Sequence, residues 1–470
     1  MTLTFWETEE AAAATDKSLT KAVPEIALEA GPASDASEAL SVLPQTSTST
    51  APALSRSAML SGCSHIGAVQ PRGLFGARDS SEEDVSVRID VRRVLILSSH
   101  VGEGHIAAAR ALAEDIALES LDVEIEVIDA LSVLGRPLRF VLHDAYRWQL
   151  RRAPWMFGLL YSSLARNPRL WHLGERLIVL LGRRRLRELL DRIEPDVVVS
   201  TYPATTTLLG HLRGRGDLAV PAYATITDLG GLRFWAHPGI DLHLVMSESS
   251  VTEIDRIVGD GSARCVRPLI APAFFEPRDA MAARRALRLP VASSVVVVSG
   301  GGWGIGDIEG ATLTTLKLPG AYVVCLAGRD EATRRYLTQR FAASNRVRVY
   351  GFIDEMSELL AAADALIHST GGVTVLEASV RGCPTVAYGV PRGHLRTVTR
   401  TMAALGVVEH ASSADHLLQV LQSILGRRVR RSPARSSAPS AASIILSARS
   451  YGYVDRRVPT RARLEGIETT

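Results

Sequence analysis

A chain of 470 residues with 46% hydrophobic and 22% charged residues is long enough for two sizeable cores with residues to spare. A formal net charge of +3 argues against a dedicated nucleic-acid binder, so local charge matters more than the sum. Cys63, Cys265, Cys325 and Cys383 lack CxxC or zinc spacing and read as reduced thiols of a cytoplasmic protein.

Residues 1–88, rich in Ala, Ser, Thr, Glu and Pro, are expected to form a disordered tail, with at most a helix around Pro24–Ala30. The acidic start MTLTFWETEE has no secretory apolar region. A first domain is expected over 89–270. It opens with an apolar strand from Val91 to Ser99, a turn HVGEGH, a helix over Ile106–Ala117 and a strand over Val123–Ile128. This β-turn-α-β order predicts a doubly wound parallel sheet. The turn places His105 at the helix start, where it either caps and packs or works in the cleft. An unperturbed imidazole pKa of ~6.5 suits a general base.

The segment from Arg136 to Arg187 holds twelve Arg against two acids, Asp144 and Glu175, interleaved with Trp148, Trp155, Phe157, Tyr161 and Trp171. Arginine and interfacial aromatics on amphipathic helices suit an anionic lipid surface. Arg147, Trp148, Arg151, Arg152, Trp155 and Tyr161 are the candidate contacts. Solvated helices with core aromatics are the plain alternative, and no nucleic-acid motif accompanies the segment. No uncharged apolar run approaches the ~18–20 residues of a membrane-crossing helix, so a lipid substrate would be met at the surface. Strands follow at Pro195–Ser200 and Ala222–Thr227. Asp228, at a strand's carboxyl end, either orients His105 or helps activate a hydroxyl, or else caps a helix.

The segment RPLIAPAFFEP, from Arg267 to Pro277, reads as the linker to a second domain over 271–428. Its first strand, Val295–Ser299, runs into Gly300-Gly301-Gly302-Trp303-Gly304, where adjacent glycines let a diphosphate approach the backbone. Strands at Ala321–Ala327 and Arg346–Tyr350 precede the turn GFIDEM. The densest stretch follows: strand Ala365–His368, turn Ser369-Thr370-Gly371-Gly372, helix Val373–Arg381 containing Thr374 and Glu377, and a Gly-Cys-Pro stop. Glycines at a strand-to-helix turn bring a phosphate to the helix's positive end. Glu377, one turn in, offers two acceptors to a ribose diol. Residues 429–470, basic and rich in Ser and Ala, are expected to be a flexible tail without a helix that crosses back to the first domain.

Over roughly Val91 to Gly426, these blocks together resemble the GT-B glycosyltransferases. They are most similar to the monogalactosyldiacylglycerol synthases and processive diacylglycerol glucosyltransferases, relatives of the peptidoglycan GlcNAc transferase. The resemblance implies two Rossmann-like doubly wound domains facing a central cleft. It implies a UDP-sugar donor, with uracil at Phe352 and Ile353, diphosphate on Gly301, Gly302, Thr370, Gly371 and Gly372, and Gly393 and His394 over the phosphate or sugar. It also implies His105 acting at a lipid hydroxyl, with direct, inverting displacement. No DxD pair occupies a donor-site context, so neither metal nor cofactor is expected. Two departures stand out: Leu232 where relatives usually have His in the Thr-Asp…Trp block, and Thr397 and Thr399 where Asn often follows. The residues leave the sugar, the acceptor and the oligomeric state open. An isomerase of the UDP-GlcNAc 2-epimerase kind and a non-catalytic sugar-nucleotide or membrane binder are the competing classes.

Overall fold

The computed structural model of the chain describes residues 4–5, 87–88, 90–391, 393–427 and 437–450. The helix expected around Pro24–Ala30 lies outside these residues, as does most of both tails.

The first domain is built on β1 (Arg93–Ser98), β2 (Glu124–Asp129), β3 (Val197–Ser200), β4 (Ala222–Thr225), β5 (Leu242–Val245) and β6 (Ala263–Cys265). They pair in parallel in the order β2-β1-β3-β4-β5-β6. In β1 every residue after Arg93 is buried, and β3 is buried throughout. Both read as unbroken apolar runs because helices cover both faces of a parallel sheet. The second domain repeats the scheme with β7 (Ser294–Ser299), β8 (Ala321–Leu326), β9 (Val347–Tyr350), β10 (Ala365–His368), β11 (Thr385–Ala387) and β12 (Glu409–His410). Its parallel order is β9-β8-β7-β10-β11-β12. The chain reverses direction of growth between β1 and β3 and between β7 and β10. The loops after β1, β7 and β10 therefore open into crevices at the carboxyl ends of the strands, where α/β sheets bind ligands.

Helix α1 (Gly104–Glu119) follows β1 and runs two residues beyond each end of its expected span. The arginine-rich segment is helical. After a π-helical stretch, Phe140–Ala145, come α2 (Tyr146–Arg152), α3 (Pro154–Arg166) and α4 (Pro168–Ile193). Asn167 starts α4 by accepting hydrogen bonds from the N–H groups of Arg169 and Leu170, with Pro168 at the first position. In the second domain, α5 (Val373–Val380) follows β10 and α6 (His394–Ala404) follows β11. The linker is packed rather than loose. Phe274 is buried, and Arg381 donates to the carbonyls of Ala273 and Glu276.

The structure differs from expectation at the C-terminal end. Helix α7 (Ala441–Leu446) crosses back and buries Ala441, Ala442 and Ile445 against α1. Ser440 caps α7 and also hydrogen-bonds the Glu119 carboxylate, and the Arg267 N–H donates to the Pro439 carbonyl at 3.0 Å. Arg449–Ser450 then pairs antiparallel with Val87–Arg88. A helix this short has no stability of its own, and burial against α1 supplies it. Among the described residues no helix is long and apolar enough to cross a membrane.

Candidate active site

The two domains enclose a cleft of about 280 Å³. Its walls include the turns after β1, β7 and β10, the start of α5, Asp228 and His394. Closure is tight: a Cβ at Gly230 would lie 2.5 Å from Thr401 Oγ1 on α6 of the other domain.

On the first-domain side, His105 is enclosed by Tyr202 and Trp235, with ring centroids 5.2 and 5.6 Å away. Its Nδ1 lies 3.4 Å from Thr227 Oγ1. Burial lowers the imidazole pKa by more than the nearby Asp228 charge raises it, so the ring is neutral at neutral pH. With Nδ1–H donating to Thr227, Nε2 keeps a lone pair for a hydroxyl proton.

Asp228 neither hydrogen-bonds His105 nor caps a helix. One carboxylate oxygen, Oδ2, accepts from Trp235 Nε1 at 2.9 Å and from His394 Nε2 at 3.0 Å, the latter across the domain boundary. Burial alone would raise the Asp228 pKa. The His394 charge and the two hydrogen bonds outweigh it and hold the carboxyl below its ordinary value. Burial would likewise lower the His394 pKa, but Asp228 outweighs it and raises the value, which favours an imidazolium paired with the carboxylate across the cleft. The pairing arises because Gly393, at φ +97°, turns the chain so that α6 begins with His394 facing the first domain. Arg392 lies outside the described residues.

Leu232 is fully buried and packs with Ile226, Trp235, Val245 and Ile254. The departure from the usual His therefore falls in a core and removes no group from the cleft wall.

On the second-domain side, Gly301 adopts φ +69°, and a Cβ there would lie 2.8 Å from Thr370 Oγ1. A Cβ on Gly302 would overlap Glu103 Cγ of the first domain. Both glycines are thus closely approached by side chains, Thr370 at Gly301 and Glu103 at Gly302. The turn after β10 corrects one detail. The N–H groups of Thr370 and Gly371 both donate to His368 Nδ1, at 3.1 and 2.9 Å, so they point away from an anion. Burial lowers the His368 pKa to about 4, which keeps the ring a neutral acceptor. The N–H groups left for a phosphate are those at the start of α5, Gly372 through Thr374, ahead of any intrahelical bond. Glu377 lines the cleft one turn in, and burial pushes its carboxyl up to about 7. Phe352 and Ile353 line the same cleft, with the Arg329 guanidinium 4.0 Å from the Phe352 ring centroid.

The proposed surface residues divide. Arg151 donates to the Trp303 carbonyl at 2.7 Å and pairs with Asp330 at 2.8 Å, so its guanidinium ties α2 to the second domain. Arg147 beside it is half-buried, and burial lowers its pKa. Arg152 is exposed, and Trp148 and Trp155 are 56% and 59% exposed. Phe140, Val141, Leu159, Leu160, Leu173 and Leu180 are exposed with them. Tyr161 falls within α3, and its side chain lies outside the described residues. Arg329 and Asp330, absent from the candidates, border the site: Arg329 lies over Phe352 of the cleft wall and Asp330 pairs with Arg151. Their signal was the AGRD turn after β8, which sits at a strand's carboxyl end like every other site loop.

Residues 105–259, spanning both His105 and Asp228, match the family model described as monogalactosyldiacylglycerol (MGDG) synthase. Residues 313–425, including Glu377 and His394, match that of glycosyl transferases group 1. The processive diacylglycerol beta-glucosyltransferase of Bacillus subtilis (strain 168) is 22% identical over 340 residues, 71% of this chain and 87% of the relative. That of Bacillus mycoides (strain KBAB4) is 21% identical over 304 residues, 63% and 76%. The chain thus resembles glycosyltransferases over both halves, and it has their two-domain GT-B fold. It is a sugar-transferring enzyme. Similar solved structures include the spinosyn rhamnosyltransferase SpnG, at 14% identity, TM-score 0.49 and coverage of 75% of this chain and 98% of that one. Acinetobacter baumannii MurG gives 15%, 0.46, 76% and 98%. In this enzyme the first family model covers the half that carries His105, and the second covers the half that carries the α5 turn.

Proposed function

We propose that the enzyme moves a hexose from a UDP-sugar to the hydroxyl of a diacylglycerol-like lipid. The site is an anionic membrane surface on the cytoplasmic side, and the reaction inverts the anomeric carbon and uses no metal. The observation that carries the lipid acceptor is α2. Tyr146 and Leu150 line the cleft, while Trp148 on the same helix stands in solvent beside Arg152 and Trp155. One helix thus joins an apolar, cationic surface to the reaction centre, so a lipid lying in the surface meets the cleft without leaving it. The relatives' names, diacylglycerol glucosyltransferases, agree with that acceptor.

In this reading the base lies against Phe352 and Ile353, the ribose diol is held by Glu377, and the diphosphate lies between the start of α5 and the Gly301-Gly302 loop. Neutral His105 takes the lipid hydroxyl proton on Nε2 as the oxygen attacks the anomeric carbon. The bond from that carbon to the diphosphate breaks with its electron pair staying on UDP. The His394 imidazolium and the α5 N–H groups oppose the growing charge, which is electrostatic stabilisation by preorganised donors.

The test is UDP release from UDP-glucose, UDP-galactose and UDP-GlcNAc with anionic vesicles containing diacylglycerol. Wild type is compared with Glu377→Ala and with Trp148→Ala/Trp155→Ala. Release that needs both diacylglycerol and Glu377, and that drops at least about tenfold without the tryptophans while UDP binding persists, supports the proposal. Turnover independent of any lipid, or UDP binding without turnover on diacylglycerol, overturns it.

A further inference from the structure

Arg329 stands between three parts of the donor site. Its N–H donates to the Gly302 carbonyl at 2.8 Å, which ties its backbone to the triple-glycine loop. Its guanidinium covers the Phe352 ring, and its Nε donates to Glu103 Oε1 at 2.7 Å. Glu103 belongs to the other domain, and its side-chain methylenes fill the space that a Cβ on Gly302 would take. A carboxylate therefore stands over the glycine loop and neutralises the cation anchored to that loop's backbone.

A nucleotide with its base on Phe352 and its phosphates at Gly301 and Gly302 passes this guanidinium. It also meets Glu103, and a carboxylate and a diphosphate at one place repel each other. The guanidinium fork fits either anion, and it fits phosphate with two parallel N–H donors. We propose that Arg329 is the diphosphate-binding cation of the donor site and that Glu103 is an internal stand-in which the donor's phosphates displace. This deepens the donor reading above and rests on it. The exchange swaps one anion for another, so the arginine is paired before and after. It also frees the loop that carries His105, two residues beyond Glu103, from the second domain, while Asp228–His394 and Arg151–Asp330 still join the domains.

The test is calorimetric titration of the full chain with UDP and with uridine, for wild type, Arg329→Gln and Glu103→Gln. The Arg329 side chain is 49% exposed, so the substitution leaves the core intact. Arg329→Gln is expected to weaken UDP about 10–100-fold and uridine less than about twofold, because only the charge-assisted phosphate bonds are lost. Glu103→Gln is expected to tighten UDP roughly 3–10-fold, since the competing anion is gone, and to leave uridine unchanged. Equal loss for UDP and uridine in Arg329→Gln makes Arg329 a support for the base or the fold and overturns the assignment. So does unchanged UDP binding in that variant, or weaker UDP binding in Glu103→Gln. If wild type binds neither ligand, the donor reading itself is wrong, and this inference falls with it.

Discussion

Glu377 offers a prediction in which magnitude and sign both follow from its surroundings. Burial within the cleft holds its carboxyl at about 7. A ribose diol donates two hydroxyl hydrogens, which favours the carboxylate, so the bound state has a lower pKa and binding releases a proton below pH 7. Only about 3% of the free protein carries the ionised form at pH 5.5, against most of it at pH 8. Uridine affinity should therefore fall roughly 30-fold between these values, equivalent to about 2 kcal/mol. Uridine is the right ligand because it has no phosphate to titrate in the same range. Calorimetry in buffers of different ionisation enthalpy reads both the affinity and the released proton. The same shift predicts the stability of the ligand-free protein. A folded pKa above the unfolded value contributes stability below about 4.5 and loses it as pH rises through about 7. Glu377→Gln should consequently stabilise the ligand-free protein at pH 8, change little at pH 5, and bind uridine with no pH dependence in this range. A flat wild-type profile, or the same slope in Glu377→Gln, would falsify the assignment of Glu377 to the ribose.

Asp228→Asn keeps an acceptor for Trp235 but removes the charge that raises the His394 pKa. The His394 signal, followed by NMR titration, should then move from above its ordinary value to below it, because burial acts alone. Turnover at pH 7 should fall about 10–100-fold, in line with loss of one stabilising donor; a His394 titration unmoved by Asp228→Asn refutes the pair. Ile445 is fully buried between α7 and α1, so Ile445→Ala should destabilise the first domain by about 2–4 kcal/mol, measured by urea unfolding. A change below about 0.5 kcal/mol would mean that α7 contributes nothing to the domain.

Local order determined most of what the chain alone disclosed. Unbroken apolar runs such as Val295–Ser299 have to be central parallel strands, since helices must cover both their faces. Glycines at Gly301, Gly302, Gly371 and Gly372 mark strand-to-helix turns because only glycine tolerates their positive φ or close contacts. Each turn lies at a strand's carboxyl end, so the alternation of elements was enough to bring His105, Phe352, Glu377 and His394 to one crevice. The partners of the side chains were decided by tertiary docking. Asp228 and His394 stand 166 residues apart, and Arg151 and Trp303 stand 152 apart. No spacing in the sequence distinguishes an arginine that ties the domains together, as Arg151 does, from one that faces solvent, as Arg152 does. Only its burial showed that Leu232, where relatives usually have His, is a core position, and AASIIL became a helix only because α1 offered a surface to cover. A period or a turn is set by a few neighbouring residues. The charge states of Asp228 and His394 depend on what the opposite domain brings against them, and that of Glu377 on its burial.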